Sequence, residues 1–372
     1  MKTKGNIFIH TSFRRPALML TLAAVLAVSS CGREAKEDFG DVIAFSASAE
    51  KVTDSRSTGS ALVTNLNTDG SEIAVYGYHG GASDYSGKTP VFETDGAKRV
   101  YYKSSGNARD YHWDYDYNGV TDNVKWLRSD YYRFRAFYPY SLIDNVNSSS
   151  NAEILALTRY SLMTDDADLM VAYATRFPAG DSEGVGPVKL KFEHALSALK
   201  FEVKSENSSE TENSNDKEKV KEFYLTGLFQ AGGLVYTSSD ASDLKGKQTL
   251  NWIPSVSDED TPVHHWVAAS ESDYKVMTIG GVSVYDNDGF VFAIPMNGKD
   301  KNELIVKTLP KICANFRTDK GGTVLHTAKL PDIRWEPGKK YIYTITVKKA
   351  TVTVNVTIKP WTLVEAGAEM KF

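Results

Sequence analysis

Cysteine is almost absent from this chain, and so is any surplus of positive charge. The 372 residues hold 2 cysteines, 43 Lys plus Arg and 47 Asp plus Glu, which gives a formal net charge of −4. Two cysteines exclude a disulfide framework and a Cys-rich zinc site. The near-neutral charge argues against a nucleic-acid binder, because such proteins usually carry a basic patch.

Long apolar runs are missing beyond the first thirty residues. The run from Ala17 to Val28 is mostly apolar and follows four basic residues, which are Lys2, Lys4, Arg14 and Arg15. A run of this length is too short to span a bilayer but suits the core of a signal peptide. No later stretch approaches the roughly eighteen apolar residues that a membrane span needs, so we expect no transmembrane helix.

The end of this run, Val28-Ser29-Ser30-Cys31, resembles the lipobox of bacterial lipoprotein precursors. The resemblance implies a signal peptide over residues 1–30 and a diacylglycerol thioether on Cys31. A plain signal peptide that contains a cysteine by chance is the alternative. Cys313 would then be the remaining thiol, and its apolar surroundings favour a small buried side chain over a nucleophile.

Helical periodicity is scarce, whereas alternation with period two is common and predicts strands with one buried face. Two clear examples of such a face are formed by Ile43, Phe45 and Ala47, and by Val188, Leu190 and Phe192. Short strands are separated by turns rich in Gly, Asn and Asp. This pattern predicts an all-β chain of β-sandwich domains and argues against βαβ architectures.

The length suggests two domains, because one domain takes roughly 100–200 residues. We place the boundary at His194, which gives an N-terminal domain over 57–194 and a C-terminal domain over 195–361. The wholly polar stretch 205–219 is a rival boundary. Since strand patterns flank that stretch directly, we interpret it as a hairpin insertion.

Catalytic and nucleotide-binding motifs are absent from the sequence, which has no G-x-S-x-G, no P-loop and no G-x-G-x-x-G after a strand. We therefore expect neither an enzyme nor a cofactor. The adjacent pair His264 and His265 lacks the spacing of a zinc helix. His194, at a strand end, is interpreted as a core or junction residue.

One acidic segment imitates a calcium loop. Asp114, Asp116 and Asn118 match the start of an EF-hand loop, but Lys125 stands at the twelfth position, where a bidentate glutamate belongs. We prefer an acidic hairpin turn and expect no metal, with a calcium site as the alternative.

Four groups of residues together resemble the fimbrillin family of Bacteroidota, the pilin lipoproteins of type V pili that include Mfa-like and major fimbrial subunits. They are the lipobox with the strand Ile43 to Ala47 and the later Arg56, the segment Phe137 to Tyr140, the segment Leu190 to Leu199, and the segment Trp335 to Trp361. The resemblance spans most of the exported chain. It implies two tandem transthyretin-like (Greek-key) β-sandwich domains.

The resemblance also implies a mode of assembly. An Arg-specific protease would cut between Arg56 and Ser57, where many relatives have Ala in place of Ser. The cut would release the propeptide 31–56 with its strand, which we expect to pair beforehand with the C-terminal part of the first domain. Another subunit's strand would then take its place by donor-strand exchange.

The implied partners are other copies of this chain or related fimbrial subunits, the protease, and the outer membrane through the lipid on Cys31. The implied location is therefore the outer membrane for the lipid-anchored precursor and an extracellular fimbrium after processing. A host or bacterial surface ligand would complete an adhesive role, and the sequence does not identify it.

The last eleven residues, 362–372, also alternate. Their apolar positions are Val364, Ala366, Ala368, Met370 and Phe372. A loose tail has no structural reason to keep period two, whereas a strand that inserts into a neighbour's groove does. We interpret 362–372 as the donor strand. The alternative is 351–358, which alternates too but is expected to pair with Tyr341 to Val347 in a last hairpin.

The competing function is that of a monomeric glycan-binding lipoprotein on the cell surface. Four tryptophans could stack on sugar rings: Trp113, Trp126, Trp252 and Trp266. The opposing interpretation makes them core or hairpin aromatics. Such a binder needs neither a donor strand nor an Arg site, and it would stay monomeric after nicking by trypsin.

Overall fold

The computed structural model describes residues 42–49, 66–92, 96–103, 112–115, 124–165, 167–182, 184–206, 218–240, 242–255, 261–285, 289–295, 312–319, 323–331, 333–348 and 351–360. Within these ranges the chain forms 21 strands and two short 3-10 helices. The prediction of an all-β chain is confirmed. None of the helices in the described ranges is long and apolar enough to cross a membrane.

The strands up to His194 are β1 (Phe45–Ala49), β2 (Glu72–Gly80), β3 (Thr89–Pro90), β4 (Lys98–Lys103), β5 (His112–Asp114), β6 (Tyr131–Tyr138), β7 (Ile154–Ser161), β8 (Met170–Arg176) and β9 (Val188–His194). A 3-10 helix, Tyr140–Asn145, lies between β6 and β7.

The later strands are β10 (Ser197–Ser205), β11 (Lys219–Thr226), β12 (Ala231–Ser238), β13 (Gln248–Ser255), β14 (Val263–Val267), β15 (Lys275–Val276), β16 (Val282–Ser283), β17 (Phe290–Ala293), β18 (Cys313–Asp319), β19 (Thr323–Lys329), β20 (Lys339–Lys348) and β21 (Thr351–Pro360). A second 3-10 helix, Glu271–Asp273, lies between β14 and β15.

The largest sheet closes on itself. Its strand order is β3-β2-β4-β5-β1-β9-β8-β6, and β2 also pairs with β6. The path from β2 through β4, β5, β1, β9, β8 and β6 therefore returns to β2, and a closed ring has no edge strands. Among the described strands of this sheet, β1 and β9 form the one parallel pairing.

Each strand of the ring turns one face towards a single hydrophobic cluster, which we call the ring core. Its members include Ile43, Phe45, Ala47, Ile73, Val75, Phe92, Val100, Trp113, Tyr115, Tyr132, Phe134, Ala136, Met170, Ala172, Val188, Leu190 and Phe192. The alternation predicted for β1 and β9 is thus the alternation that builds this core.

A second, larger cluster lies among the remaining sheets, and we call it the second core. The sheets are β16-β10-β20-β21 with β17 beside β10, β14-β11-β18-β19 with β15 beside β11, and β13-β12-β7. Its members include Leu199, Phe201, Phe223, Phe292, Phe316, Tyr341, Tyr343 and Ile345. Ala74, Tyr76 and Tyr78 join it from the outer face of β2.

The C-terminal hairpin has the predicted form. β20 and β21 pair antiparallel along their whole length, from Lys339 opposite Pro360 to Lys348 opposite Thr351.

The interpretation of 205–219 as a hairpin insertion is wrong, because β10 and β11 lie in different sheets. The polar segment therefore connects two layers of a sandwich.

The chain around His194 is a junction between the two cores. The His194 and Asp168 side chains are fully buried, and Nδ1 of the histidine lies 2.9 Å from the carboxylate. Trp252 Nε1 donates to the Ala195 carbonyl at 2.7 Å, and Gly338 N–H donates to the Leu196 carbonyl at 2.9 Å. The interpretation of His194 as a core or junction residue is confirmed.

Strands from both sides of His194 meet in one sheet. β7 pairs antiparallel with β12, from Ile154 opposite Thr237 to Ser161 opposite Ala231. Backbone hydrogen bonds therefore cross the predicted division into 57–194 and 195–361, and that division stays a prediction.

Candidate assembly site at the N-terminal strand

Strand β1 completes the ring by lying between β5 and β9. It runs parallel to β9, with Phe45 opposite Val188 and Ala49 opposite Phe192. As expected, its partner is the last strand of the predicted first domain. Among the described residues, the pairing with β5 consists of a single position, Phe45 opposite Trp113. In the described residues, β1 thus pairs along its length with β9, and its other side pairs at Trp113 and, through Val42, at Lys125.

The entry to β1 is fixed by backbone hydrogen bonds and by burial. Ile43 N–H donates to the Val124 carbonyl at 2.7 Å, and Val188 N–H donates to the Ala44 carbonyl at 2.8 Å. Ile43, Phe45 and Ala47 are at most 4% exposed, whereas Val42 is 38% exposed. The face predicted from the alternation is therefore the buried face, and it plugs the ring core.

Phe45 is the main anchor of β1. Its ring centroid lies 5.6 Å from Phe134 and 5.8 Å from Tyr115, both edge-on, and 6.2 Å from Phe92. The Tyr115 hydroxyl donates to the carbonyl of Ile43 at 2.8 Å. Edge-to-face aromatic contacts add to the gain from burying the ring, which is about 1.5–3 kcal/mol. Truncation of Phe45 would leave a cavity lined by aromatic rings.

A ring without β1 would have two unpaired edges, on β5 and on β9, and an uncovered apolar groove. Natural proteins cover such edges, and an extended segment of another chain can cover them by β-augmentation. A replacement strand needs side chains that fit the places of Ile43, Phe45 and Ala47. The site is therefore able to bind a strand whose apolar residues alternate.

Several predicted site residues lie outside the described residues. They are Cys31, Arg56, Ser57, Asp116, Asn118, Val364, Ala366, Ala368, Met370 and Phe372. β1 ends at Ala49, seven residues before Arg56 in the sequence. The lipid site, the cleavage site and the donor strand thus stay predictions.

Of the three predicted calcium ligands, only Asp114 lies within the described ranges. This residue ends β5, and its Oδ2 accepts a hydrogen bond from Lys103 Nζ at 3.1 Å. No group of three or more His, Cys, Asp and Glu side chains suited to a metal occurs among the residues that the structure describes.

Three of the four tryptophans are core residues. Trp113, Trp126 and Trp252 are 6%, 5% and 1% exposed. Their indole N–H groups donate to Asn67 Oδ1, the Val185 carbonyl and the Ala195 carbonyl respectively. Trp266 is half-buried.

Cys313, expected to be buried, is also half-buried, because it is the first residue of β18.

Two buried arginines were not predicted from the sequence. Arg133 and Arg135 on β6 are each 1% exposed. The Arg135 guanidinium lies 4.8 Å from the Tyr173 ring and 4.7 Å from the Tyr236 ring, and it donates to Gln248 Oε1 at 2.8 Å. Burial lowers the pKa of Arg135 to about 10. These contacts tie the ring to β12 and β13 through charged side chains.

A comparison with family models gives one match. A model described as fimbrillin-like covers residues 55–361. The matched segment includes every described strand except β1. A search of curated proteins finds no match.

Solved structures show similar chains. One is described as a "putative cell adhesion protein" from Bacteroides ovatus ATCC 8483, with 16% identity, a TM-score of 0.48, and coverage of 88% of this chain and 99% of that chain. Another is a fimbrial protein from Bacteroides vulgatus ATCC 8482, with 13% identity, a TM-score of 0.47, and coverage of 87% of this chain and 100% of that chain.

Proposed function

This chain belongs to the fimbrillin-like family, and we propose that it is a structural, non-enzymatic subunit of an adhesive fimbrium that polymerises by donor-strand exchange. The observation that carries the proposal is the place of β1. This strand fills part of the ring core, its longest pairing among the described residues is with β9, and it joins the remaining chain through residues 50–65.

The first step is export as a lipoprotein. Lipid on Cys31 would hold the precursor on the outer membrane. Cys31 lies eleven positions before Val42 in the sequence, and an extended chain spans at most about 3.6 Å per residue. The ring would therefore sit within about 40 Å of the lipid anchor.

The second step is the cut after Arg56. Before the cut, β1 is part of the same chain as its partners, so it refills the groove whenever it leaves. After the cut, β1 is held by non-covalent contacts alone, which include its pairing with β9, the bridge to Trp113, the hydrogen bonds of Ile43 with Val124 and Tyr115, and three buried side chains. The released segment would be 31–56, and the groove would open.

The third step is insertion of a strand from another subunit. The tail 362–372 alternates as the groove requires, with Met370 and Phe372 as the large residues. Burying two such side chains contributes about 1.5–3 kcal/mol each before entropy costs. Each subunit would donate at one place and accept at another, and such a heterologous contact produces an open filament.

Digestion with an Arg-specific protease tests the processing step. The wild-type precursor should form ladders of oligomers on size analysis after digestion. The Arg56→Ala variant should keep lipid on Cys31 and form markedly less polymer. Polymer at the wild-type level in that variant would rule out Arg56 as the processing site.

Deletion of residues 362–372 tests the donor strand. The shortened protein should keep the circular dichroism spectrum and melting temperature of the wild type but should not polymerise after digestion. If it unfolds, the tail belongs to its own subunit's core. If it still forms filaments, the donor strand lies elsewhere, and 351–358 becomes the candidate.

The competing function of a monomeric glycan-binding lipoprotein receives less support. Three of its four candidate platforms, Trp113, Trp126 and Trp252, are buried and bonded within the fold. A binder of this kind also gives no reason for a removable strand in the ring core. Monomeric behaviour after the cut would favour it over the fimbrial proposal.

A further inference from the structure

A groove opens where the edge of β11 changes partner. β14 pairs with the part of β11 from Glu222 to Leu225, whereas β15 pairs with Lys219 and Val220. The connection between β14 and β15 leaves the sheet and contains the short helix Glu271–Asp273. The groove beside it has a volume of about 520 Å³, within the range of roughly 300–1,000 Å³ that is usual for small-molecule sites.

One wall of the groove is aromatic. Trp266 lines it and is half-buried, whereas the other four tryptophans of the described chain are buried. The inner side of Trp266 packs against the second core, and the residue lies opposite Phe223 in the sheet. Its neighbour Val267, also in the lining, is 57% exposed. A fixed, flat apolar surface therefore faces solvent.

The other wall is polar. Ser272, Asp273, Tyr274 and Lys275 line it. Asp273 Oδ2 accepts a hydrogen bond from Ser270 at 2.8 Å, and its Oδ1 accepts none from the described residues. The Lys275 ammonium lies over the Trp266 ring, 5.7 Å from its centre, so a sugar that stacks on this ring must displace the ammonium towards the rim. Acceptors and donors therefore surround the aromatic surface.

We propose that this groove binds a pyranose ring of a carbohydrate. A pyranose has an apolar face of C–H groups and a rim of hydroxyls that donate and accept hydrogen bonds. The Trp266 ring matches the first feature, and Asp273 with Lys275 matches the second. The two charges are of opposite sign, which suits a neutral sugar.

The inference does not depend on the proposed assembly, because it uses none of the residues around β1. Polymerisation and sugar binding can therefore fail separately. If both hold, every subunit of the fimbrium would carry a sugar site on its side, and many weak sites on one filament would bind a glycan surface with avidity.

Saturation-transfer NMR on the full chain tests the proposal. The probes are methyl glycosides of glucose, galactose, mannose, fucose, N-acetylglucosamine and glucuronic acid, each at up to about 50 mM, because affinities near 1 mM correspond to only about −4 kcal/mol. We expect at least one neutral glycoside to bind, with the strongest transfer at its ring C–H protons.

Substitutions in the groove then show whether the sugar binds there. Trp266→Ala should weaken binding at least about tenfold, whereas Trp266→Tyr, which keeps an aromatic ring, should stay within about threefold. Asp273→Asn changes an exposed residue, leaves the fold intact and should weaken binding about threefold or more. The matched control is Tyr101→Ala, since Tyr101 is also a half-buried strand aromatic with a lysine, Lys103, 5.1 Å from its ring centre.

Two results would overturn the proposal. One is failure of all six glycosides to bind the wild-type chain. The other is binding that Trp266→Ala and Asp273→Asn leave unchanged, or that Tyr101→Ala reduces as much as they do.

Discussion

The ring core and the second core each contain a parallel strand pair, but the two pairs are supported differently. In the ring core, β1 pairs with β9 over five residues and with β5 at one position in the described chain. In the second core, β20 pairs with β10 over eight residues and with β21 over ten. Within the described residues, β20 is therefore paired along both sides, whereas β1 is paired along its length with β9 and on its other side at Val42 and Phe45.

The connections differ as well. β20 continues through a two-residue link into β21, so both stay with the same sheet. β1 is joined to the next described residue, Leu66, through a long segment that contains Arg56. Under the proposed function, the ring core exchanges a strand and the second core does not.

Truncation of the central aromatic residue should cost about 3–5 kcal/mol of unfolding free energy in either core of the uncut protein. The variants are Phe45→Ala in the ring core and Phe201→Ala in the second core, where Phe201 stacks on Tyr343 at 5.2 Å. After Arg-specific cutting and polymerisation, the Phe45→Ala effect should disappear, since β1 has left. The Phe201→Ala effect should persist. Chemical denaturation before and after cutting measures both.

Val42→Ala is the control for these variants, because this side chain of the same segment is exposed, and its effect should be within about 0.5 kcal/mol. A loss from Phe45→Ala that persists in the polymer would show that β1 remains in the ring.

The junction should respond less than either core. Trp252→Phe removes the hydrogen bond to the Ala195 carbonyl and leaves that buried acceptor without its donor. We expect a loss of about 1–3 kcal/mol of unfolding free energy. If the junction couples the cores, thermal unfolding of the variant should split into two transitions, which calorimetry detects. A single unchanged transition would show that this bond does not connect them.

Alkaline pH should weaken the second core through Tyr343. Burial raises the pKa of Tyr343 to about 12, from about 10 in the unfolded chain. Between these values the unfolded chain loses the proton and the folded chain keeps it, so stability falls as the pH rises. Tyr343→Phe should reduce the loss between about pH 9 and about pH 11 by about 1 kcal/mol. An equal loss in both proteins would contradict this origin.

The smallest effect concerns the β5 side of the β1 groove. Lys103 and Asp114 connect β4 and β5 through an ion pair whose lysine side chain is 52% exposed. Exposed pairs contribute about 0–1 kcal/mol. Lys103→Ala should therefore change the unfolding free energy by less than about 1 kcal/mol and leave polymerisation unaffected, as denaturation and size analysis would show. A large loss of polymer would assign the β5 side a greater role.

Local patterns predicted much of this fold. The alternation at Ile43, Phe45 and Ala47 identified both the strand and its buried face, because period two specifies which side chains share a face. The same reasoning identified the hairpin of β20 and β21. These features depend on residues close together in the sequence.

Features that depend on distant residues were not predictable in this way. Arg133 and Arg135 alternate with Phe134, which indicates an exposed face. Instead, Tyr236 and Gln248 of β12 and β13 cover Arg135, and Arg133 pairs with Glu153 beside the Tyr78 ring. The sequence near β6 does not indicate that these arginines are buried by other strands. The pairing of β7 with β12 and the separation of β10 from β11 are likewise set by the packing of whole sheets.

A reducible disulfide across β1 and β9 tests whether β1 must leave the ring before the protein can polymerise. Ser48 and Lys191 are exposed partners in the parallel register, and adjacent strands are about 4.8 Å apart, within the range that a disulfide spans. The variant Ser48→Cys with Lys191→Cys, in a Cys313→Ser background, would be oxidised before Arg-specific digestion. As a control, the variant Glu202→Cys with Thr344→Cys places an equivalent disulfide across the other parallel pair, β10 and β20.

We expect the variant with the oxidised β1–β9 disulfide to be cut but not to polymerise, and reduction to restore the oligomer ladder. The variant with the β10–β20 disulfide should polymerise in either state. Polymerisation of the oxidised β1–β9 variant at the wild-type level would contradict the claim that β1 must leave the ring.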